Sequence, residues 1–363
     1  MTGPIQMSIE ALRQVSLCRG LDRAAAERLA TVTRAVSFLP GAQIVRQNGP
    51  ARGAYLIRNG TVEARIALPG GGSLTVAELR DGDVLGEMAL IERGVCTATV
   101  VACSHVDGWF IGGDDFRAMV ASREAVALAI QRAITHNLAA KLRVLNARVR
   151  EHPAQEDRPV REAPPSSDPL AGVARTRKAS FDWRKFVPIL PFFTGFDDDE
   201  IDELVAAAQV LELPRGAWIF AQGQLAQACY LVLRGAADAL TQNDGRERRI
   251  GVAGPGELIG YLAALEGAAH GASARVRERA TLLEFPRDAF LASFNGGTGA
   301  SVSLQHAIHR SLLRSLGRTN TQLTRLISDA RLAAAHREVT ALETTLHGQL
   351  WTVVPPSSPA AAG

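Results

Sequence analysis

A chain of 363 residues is too long for one ordinary hydrophobic core and comfortable for two, and its 47% hydrophobic share is enough to build them. That share excludes a mostly disordered chain. Lysine and arginine total 40 against 37 acidic residues, a net charge of only +3, which supplies no electrostatic case for a nucleic-acid or membrane-surface partner.

From the N-terminus, the first predicted element is an amphipathic helix with Leu29, Val32 and Val36 on one face. A strand follows at Ala54-Tyr55-Leu56-Ile57 and meets Asn59-Gly60, the strongest short hairpin signal. Thr61 to Ile66 then alternates, with Val62, Ala64 and Ile66 on one face, and Pro69-Gly70-Gly71-Gly72 makes the next turn. A longer helix is predicted from Glu124 to Val149. Residues 150–184 hold Pro153, Pro159, Pro164, Pro165 and Pro169 among charged and small residues, the composition of a solvated linker.

Beyond it the same order returns. A helix carries Ile201, Leu204, Val205 and Ala208, a strand covers Tyr230 to Leu233, turns fall at Gly235 and Asn243-Asp244-Gly245, and a long helix runs from Ser301 to Thr345. On that last helix Leu312, Leu316, Leu323, Leu326 and Ala330 follow a loose 3–4 spacing. Such a face suits a seam for a homodimer through the C-terminal helices, or packing on its own barrel. From Pro355 the tail, Pro-Pro-Ser-Ser-Pro-Ala-Ala-Ala-Gly, has the composition of a disordered end.

The return is a duplication. Gly41, Gln47, Tyr55 and Gly60 recur as Gly216, Gln222, Tyr230 and Gly235 at one constant offset. One residue is then lost, and Gly82, Gly86, Ala98 and Phe116 recur as Gly256, Gly260, Ala272 and Phe290. Aligned glycines mark turns or close backbone approaches. The spacing is far longer than the roughly 20–50 residues of a solenoid repeat. Many short strands with regular turns predict an α+β fold: two antiparallel β jelly-roll domains, each flanked by helices. The expected spans are 8–149 and 185–346, joined by the linker and followed by a tail over 347–363.

The chemistry is concentrated in Asp81-Gly82-Asp83-Val84-Leu85-Gly86-Glu87-Met88-Ala89-Leu90-Ile91, followed by Cys96-Thr97-Ala98-Thr99-Val100. Gly86 permits close approach of the backbone to a bound group, and Glu87-Met88-Ala89-Leu90 is good helix sequence. Backbone N–H groups at that helix start suit a cyclic phosphate, and Glu87 beside them can accept from a ribose hydroxyl. The segment resembles the phosphate-binding cassette of the cyclic-nucleotide-binding family, which includes the catabolite activator protein and the regulatory subunits of cyclic-AMP-dependent kinase. The family pattern is Gly-Asp-x-x-Gly-Glu-x-Ala-Leu, a short loop, then Arg-x-Ala-Ser/Thr-Val. The resemblance implies a ligand, cyclic AMP or cyclic GMP, held by Gly86, Glu87, Met88, Ala89, Cys96, Thr97 and Ala98. In the family the glutamate binds ribose and the arginine neutralises the phosphate.

Two departures bear on that expectation. Cys96 stands where the arginine belongs, with Arg93 in the loop as a substitute cation. In the second repeat Gly260-Tyr261-Leu262-Ala263 puts Tyr261 at the glutamate position, and His270-Gly271 puts a histidine at the arginine position. His270 supplies positive charge only when protonated, and Tyr261 obstructs ribose. Weak or altered binding is expected in the first repeat and none of the usual kind in the second.

The remaining signals are bland. Cys18, Cys96, Cys103 and Cys229 show no metal or CxxC spacing and read as reduced, mostly buried thiols. No metal site, P-loop, kinase signature or nucleophile elbow is present, so the chain is read as no enzyme. No signal peptide or membrane-length apolar run is found, which predicts a cytoplasmic protein. Arg177-Lys178-Ala179-Ser180-Phe181 looks like a basophilic kinase substrate or inhibitor sequence, or an ordinary basic linker. The short segment after Thr345 leaves no room for a helix-turn-helix module, so DNA is not an expected partner. The leading expectation is a regulatory sensor that acts through its closing helices on a protein partner. Its rival is a degenerate scaffold that mediates assembly without nucleotide.

Overall fold

The computed structural model describes residues 8–67, 73–151, 158–160, 162–165, 168–243 and 245–350, apart from the side chains of Leu74, Val76 and residues 327–350. The turn read at Pro69 to Gly72, Asp244 and the tail from Pro355 therefore lie outside the described residues.

The first repeat opens with α1 (Ile9–Gln14) and α2 (Arg23–Ala30). Asp22 caps α2 by accepting the Ala25 N–H, and Ala26 and Leu29 are its buried residues. The helix stops there, which corrects the expected face of Leu29, Val32 and Val36. Val32 lies in the turn and Val36 in strand β1 (Thr33–Phe38). Thr31-Val32-Thr33 is a β-branched run, stiff at χ1 and better suited to a pleated strand than to a continuing helix.

Seven more strands follow: β2 (Gln43–Val45), β3 (Gly53–Asn59), β4 (Val62–Ala67), β5 (Ser73–Leu79), β6 (Val84–Leu85), β7 (Thr99–Ala102) and β8 (Val106–Gly112). They form two antiparallel sheets, ordered β1-β8-β3-β6 and β2-β7-β4-β5. Ile57, Val62, Ala64 and Val100 fill the space between the sheets. Alternate residues of the first sheet, Leu56 and Trp109 among them, belong to a second core shared with the helices. Short α3 (Met88–Ile91) interrupts the strands, and α4 (Gly113–Ala121) and α5 (Ala125–Glu151) close the repeat.

After β9 (Arg158–Pro159), the second repeat begins at α6 (Asp198–Ala206), which has a reciprocal capping box between Asp197 and Glu200. Ile201, Leu204 and Val205 form its buried face, as the spacing predicts. Next come β10 (Gln209–Leu213), β11 (Trp218–Phe220), β12 (Ala228–Asn243), β13 (Arg246–Ala253), β14 (Leu258–Ile259), α7 (Tyr261–Glu266), β15 (Ser273–Pro286), α8 (Arg287–Asn295) and α9 (Gly299–Leu350). Here the sheet is one path, β10-β15-β12-β13-β9, with β11 added on β15 and β14 on β12. The recurring glycines all have positive φ: 82° and 86° at Gly41 and Gly216, 77° and 74° at Gly86 and Gly260. The duplication is thus one of backbone geometry as well as of sequence.

The segment read as a solvated linker is partly built into the second repeat. Leu170 and Trp183 are buried, Thr176 exchanges backbone bonds with Val210, and Arg175 makes two bonds to Glu284 on β15. The proline-rich composition hid two apolar anchors.

The closing helices α5 and α9 pack on each other and run parallel. Thr135 Oγ1 lies 3.3 Å from His309 Nδ1, and Thr319 Oγ1 lies 3.1 Å from Asn146 Oδ1. Leu145 and Val149 meet Leu323 and Leu326 farther along. Thr135 and His309 are 174 residues apart, the offset that relates the later halves of the two repeats, so equivalent positions of the two helices face each other. The face read as a seam for a second copy, or as packing on its own barrel, is in part turned to α5 within one chain. Leu312, Leu323 and Leu326 are already buried within one chain, while the side chain of Ala330 lies outside the described set. Polar groups are trapped in the contact: both side-chain polar atoms of Gln131, Oε1 of Gln305 and Nε2 of His309 have no partner among the described residues. Each such group costs about 1–3 kcal/mol, so this helix pairing is weaker than an apolar one of equal area.

Candidate functional site

In the first repeat, β6 delivers the chain to Gly86 at φ 77°. A Cβ there would sit 2.8 Å from the Gly53 carbonyl oxygen, so the turn admits only glycine. Ala89, Leu90 and Ile91 are buried and anchor α3, while Met88 faces outward. The Ala89 N–H donates back to Gly86 O at 2.9 Å. The Glu87 side chain is only 13% exposed, and its Oε1 accepts a 2.7 Å bond from Lys141 Nζ on α5. The closing helix therefore holds the carboxylate at the ribose position of the cassette.

The position of the family arginine carries no charge. Cys96 is half-buried, its Sγ 3.8 Å from the Pro50 carbonyl, and burial pushes its thiol pKa up, so it stays neutral. Arg93 does not replace the missing arginine, because it bonds Asp114 at 2.7 Å at the surface. Thr97 is exposed and Ala98 half-buried. Thr99 Oγ1 accepts the Gln47 N–H at 3.0 Å, and Gln47 Oε1 accepts the Ala67 N–H.

In the second repeat the same clasp recurs: Ser273 Oγ accepts the Gln222 N–H at 2.9 Å, and Gln222 Oε1 accepts the Gln242 N–H. The aligned glutamines thus pin strands, a role the sequence did not disclose. Tyr261 follows the left-handed Gly260 and is buried; burial pushes its phenol up to about 12, against the Ser315 hydroxyl and the nearby Arg314 and Arg318. Ala263 is buried and Leu262 half-buried. His270 stacks on Phe220 with ring centroids 3.7 Å apart and planes 11° from parallel. Burial lowers its pKa to about 4, so it is neutral at pH 7 and is not the cation considered from sequence. Gly271 is exposed, and its carbonyl accepts a 3.2 Å bond from Arg150 Nη1 at the end of α5. Over this cassette lies a cavity of about 290 Å³, roofed by Leu142 and Asn146 of α5 and by Ser315 and Thr319 of α9.

The general model of the cyclic nucleotide-binding domain matches residues 35–123 and 210–295. Both matched segments belong to the cyclic nucleotide-binding domain family. Among curated relatives, the cyclic AMP receptor protein of Thermus thermophilus is 38% identical over 28% of this chain and 48% of its own. The acetyltransferase Pat of Mycolicibacterium smegmatis is 37% identical over 27% of this chain and 29% of its own. The chain thus spans about half or less of the length of these relatives. A solved structure, the regulatory domain of Toxoplasma gondii PKA with cAMP, is 19% identical, covers 82% of this chain and 92% of its own, and has a TM-score of 0.30.

Within this pair of cyclic nucleotide-binding domains, the cassettes differ in what surrounds them. The first keeps its glutamate but ties it to α5; the second has lost its glutamate and is enclosed by both closing helices. Lys141 and Arg150, which bond the two cassettes, were not singled out from sequence, since nothing local to a helix announces a partner 54 or 121 residues away. Among the described residues no His, Cys, Asp and Glu group could hold a metal, and no helix is long and apolar enough to cross a membrane.

The Glu87–Lys141 pair makes a testable competitor for ligand. A half-exposed ion pair is worth about 0.2–1 kcal/mol. Lys141→Ala frees Glu87 and is expected to tighten any ligand that bonds Glu87 by about 2–5-fold, read by titration calorimetry. Weaker binding in that variant instead means that Lys141 itself contacts the ligand.

Proposed function

We propose that this chain is a non-enzymatic regulatory sensor that takes a cyclic nucleotide, cyclic AMP or cyclic GMP, in its first domain. The ion pair between Glu87 and Lys141 carries the reading: a ligand hydroxyl that bonds Glu87 displaces a helix-borne lysine, so occupancy and the pose of α5 are linked. Because α5 lies along α9 over trapped polar groups, a change at its Lys141 face reaches the second domain through a contact that costs little to rearrange. The closing helices then present the altered face to a protein partner.

Titration of cyclic AMP and cyclic GMP into the full chain, beside Glu87→Ala, is the test. Binding near one equivalent that disappears in the variant supports the proposal. Heat that survives the substitution places the ligand elsewhere and removes the first-domain assignment.

One specific observation favours the rival scaffold reading. The neutral Cys96 thiol leaves the first cassette short of a charge-assisted contact worth about 1.5–3 kcal/mol. A folded protein that gives no heat with either nucleotide supports assembly without ligand.

A further inference from the structure

The connecting segment carries a motif that neither cassette uses, Arg177-Lys178-Ala179-Ser180-Phe181. The fold hangs it between two anchors. On one side Thr176 exchanges backbone bonds with Val210 of β10, and on the other Trp183 is buried. Arg177, Lys178 and Ser180 lie exposed between them, outside any helix or strand. Arg175 is bonded to Glu284 and Lys185 to Asp182, whereas Arg177 and Lys178 have no carboxylate partner among the described residues.

Glu212 of β10 clamps the serine. The Ser180 N–H donates to Glu212 Oε1 at 2.7 Å. The Ser180 side chain and N–H, with Arg279 beside them, keep the Glu212 carboxyl below the usual carboxylate range. Arg279 Nη2 donates to the other oxygen, Oε2, at 3.4 Å. A second exposed cation, Arg234, lies over the Phe181 ring, 5.9 Å from its centre. Ser180 thus shares one carboxylate with Arg279 and adjoins the ring that Arg234 covers. Thr176, the other hydroxyl of the stretch, is not equivalent, because its Oγ1 donates to the Lys178 carbonyl at 2.5 Å and its backbone is fixed in the bridge to Val210.

We propose that Ser180 is a phosphorylation site for a protein kinase with an acidic peptide groove, that Glu212 gates it, and that Arg279 and Arg234 receive the phosphate. Carboxylates in such a groove select Arg177 and Lys178 by charge. In the transfer, Ser180 Oγ forms the bond to the γ-phosphorus of a nucleoside triphosphate, and the bond from that phosphorus to the β,γ-bridging oxygen breaks. The hydroxyl proton passes to the kinase's base, and the diphosphate leaves. Access requires only local opening of the strip, since no fully buried residue lies between Thr176 and Trp183. The product sets a charge of about −1.5 to −2 against Glu212, which repels the clamp and leaves Arg279 free for a charge-assisted bond to phosphate. The site stands whether or not either domain binds a nucleotide.

The test incubates the full chain with magnesium ATP and the catalytic subunit of cyclic-AMP-dependent kinase, used as a probe that selects basic residues before a serine. Fragment mass spectrometry is expected to place one phosphate on Ser180, absent from Ser180→Ala. Arg177→Gln with Lys178→Gln is expected to slow incorporation by about 10–100-fold. Glu212→Ala, which opens the clamp, is expected to speed it by about 3–10-fold. A phosphatase is expected to remove the phosphate faster, by about 3–10-fold, from Arg234→Gln with Arg279→Gln. Arg177, Lys178, Ser180, Arg234 and Arg279 are all exposed, so these changes remove no core contact, and urea unfolding of each variant checks its fold. Phosphate on Thr176 or elsewhere, no incorporation into the folded chain, or a rate indifferent to Arg177 and Lys178 overturns the site. An unchanged rate in Glu212→Ala overturns the gate, and unchanged dephosphorylation overturns the role of the two arginines.

Discussion

Acidification from pH 6.5 to about 4 is expected to remove several kcal/mol of unfolding free energy, through His270 and His309. Burial lowers both imidazoles from 6.5 to about 4. Inside that window they are neutral in the folded chain and protonated in the unfolded one. The unfolded state then binds more protons, so stability falls as pH falls. The contribution is fully present above 6.5 and gone below about 4. At about 1.4 kcal/mol per unit, each histidine accounts for roughly 3 kcal/mol at most. Carboxylates held low by arginine, such as Asp114 beside Arg117 and Glu63 beside Arg65, lose their share only at lower pH. Around His309 stand Thr135 of α5 and, on α9, Gln305, His306 and Arg310; His306 is itself lowered by burial and by Arg310. No carboxylate bond to His309 is present among the described residues to accept the new charge, so protonation works against the helix pairing. Urea unfolding at a series of pH values measures the slope. His270→Gln with His309→Gln is expected to flatten it between pH 6.5 and 4; an unchanged slope in that variant assigns the acid sensitivity to other groups.

The jelly-roll strands, the positive-φ glycines and the cassette position were legible because each depends on local chemistry. Gly86 and Gly260 announce a backbone that only glycine tolerates, and β4 shows its alternation in Val62 and Ala64. What the cassettes do was not legible, because it depends on side chains brought from far away. Lys141 reads as an ordinary exposed lysine of an amphipathic helix until α5 folds back over Glu87. The leucines of α9 carried a correct apolar face but no address. Their spacing suits a second copy of the chain as well as α5, and only the tertiary fold chooses. His270 failed for a related reason: its charge depends on its stacking against Phe220 from β11, which local sequence does not reveal. The linker misled because composition averages over residues, while Leu170 and Trp183 act singly.

Alanine at Gly60 or Gly235 is expected to cost about 3 kcal/mol or more. Gly60 has φ 102° and Gly235 φ 83°. Left-handed backbone alone costs a residue with a Cβ about 1–2 kcal/mol. The remainder is steric. A Cβ at Gly60 would lie 2.3 Å from the His105 carbonyl oxygen, and one at Gly235 would lie 2.3 Å from that of Arg279. Neither oxygen is free to retreat. Arg279 lies within β15, where the register with β12 shifts between Arg234 and Ala236, and His105 immediately precedes β8, the partner of β3. Gly41→Ala separates the two contributions, since Gly41 has φ 82° with nothing within 4 Å of the added atom. It is expected to lose only the backbone part, about 1–2 kcal/mol. Equal losses for Gly41→Ala and Gly60→Ala in urea unfolding mean that backbone conformation decides and the clash relaxes. A larger loss at Gly60 and Gly235 means that both repeats need the same close crossing. In the first repeat that crossing ends β3 before β4 begins; in the second it bends one continuous strand, β12. The same glycine therefore serves as a turn in one domain and a bulge in the other, which is why the sequence repeat is clearer than the strand count.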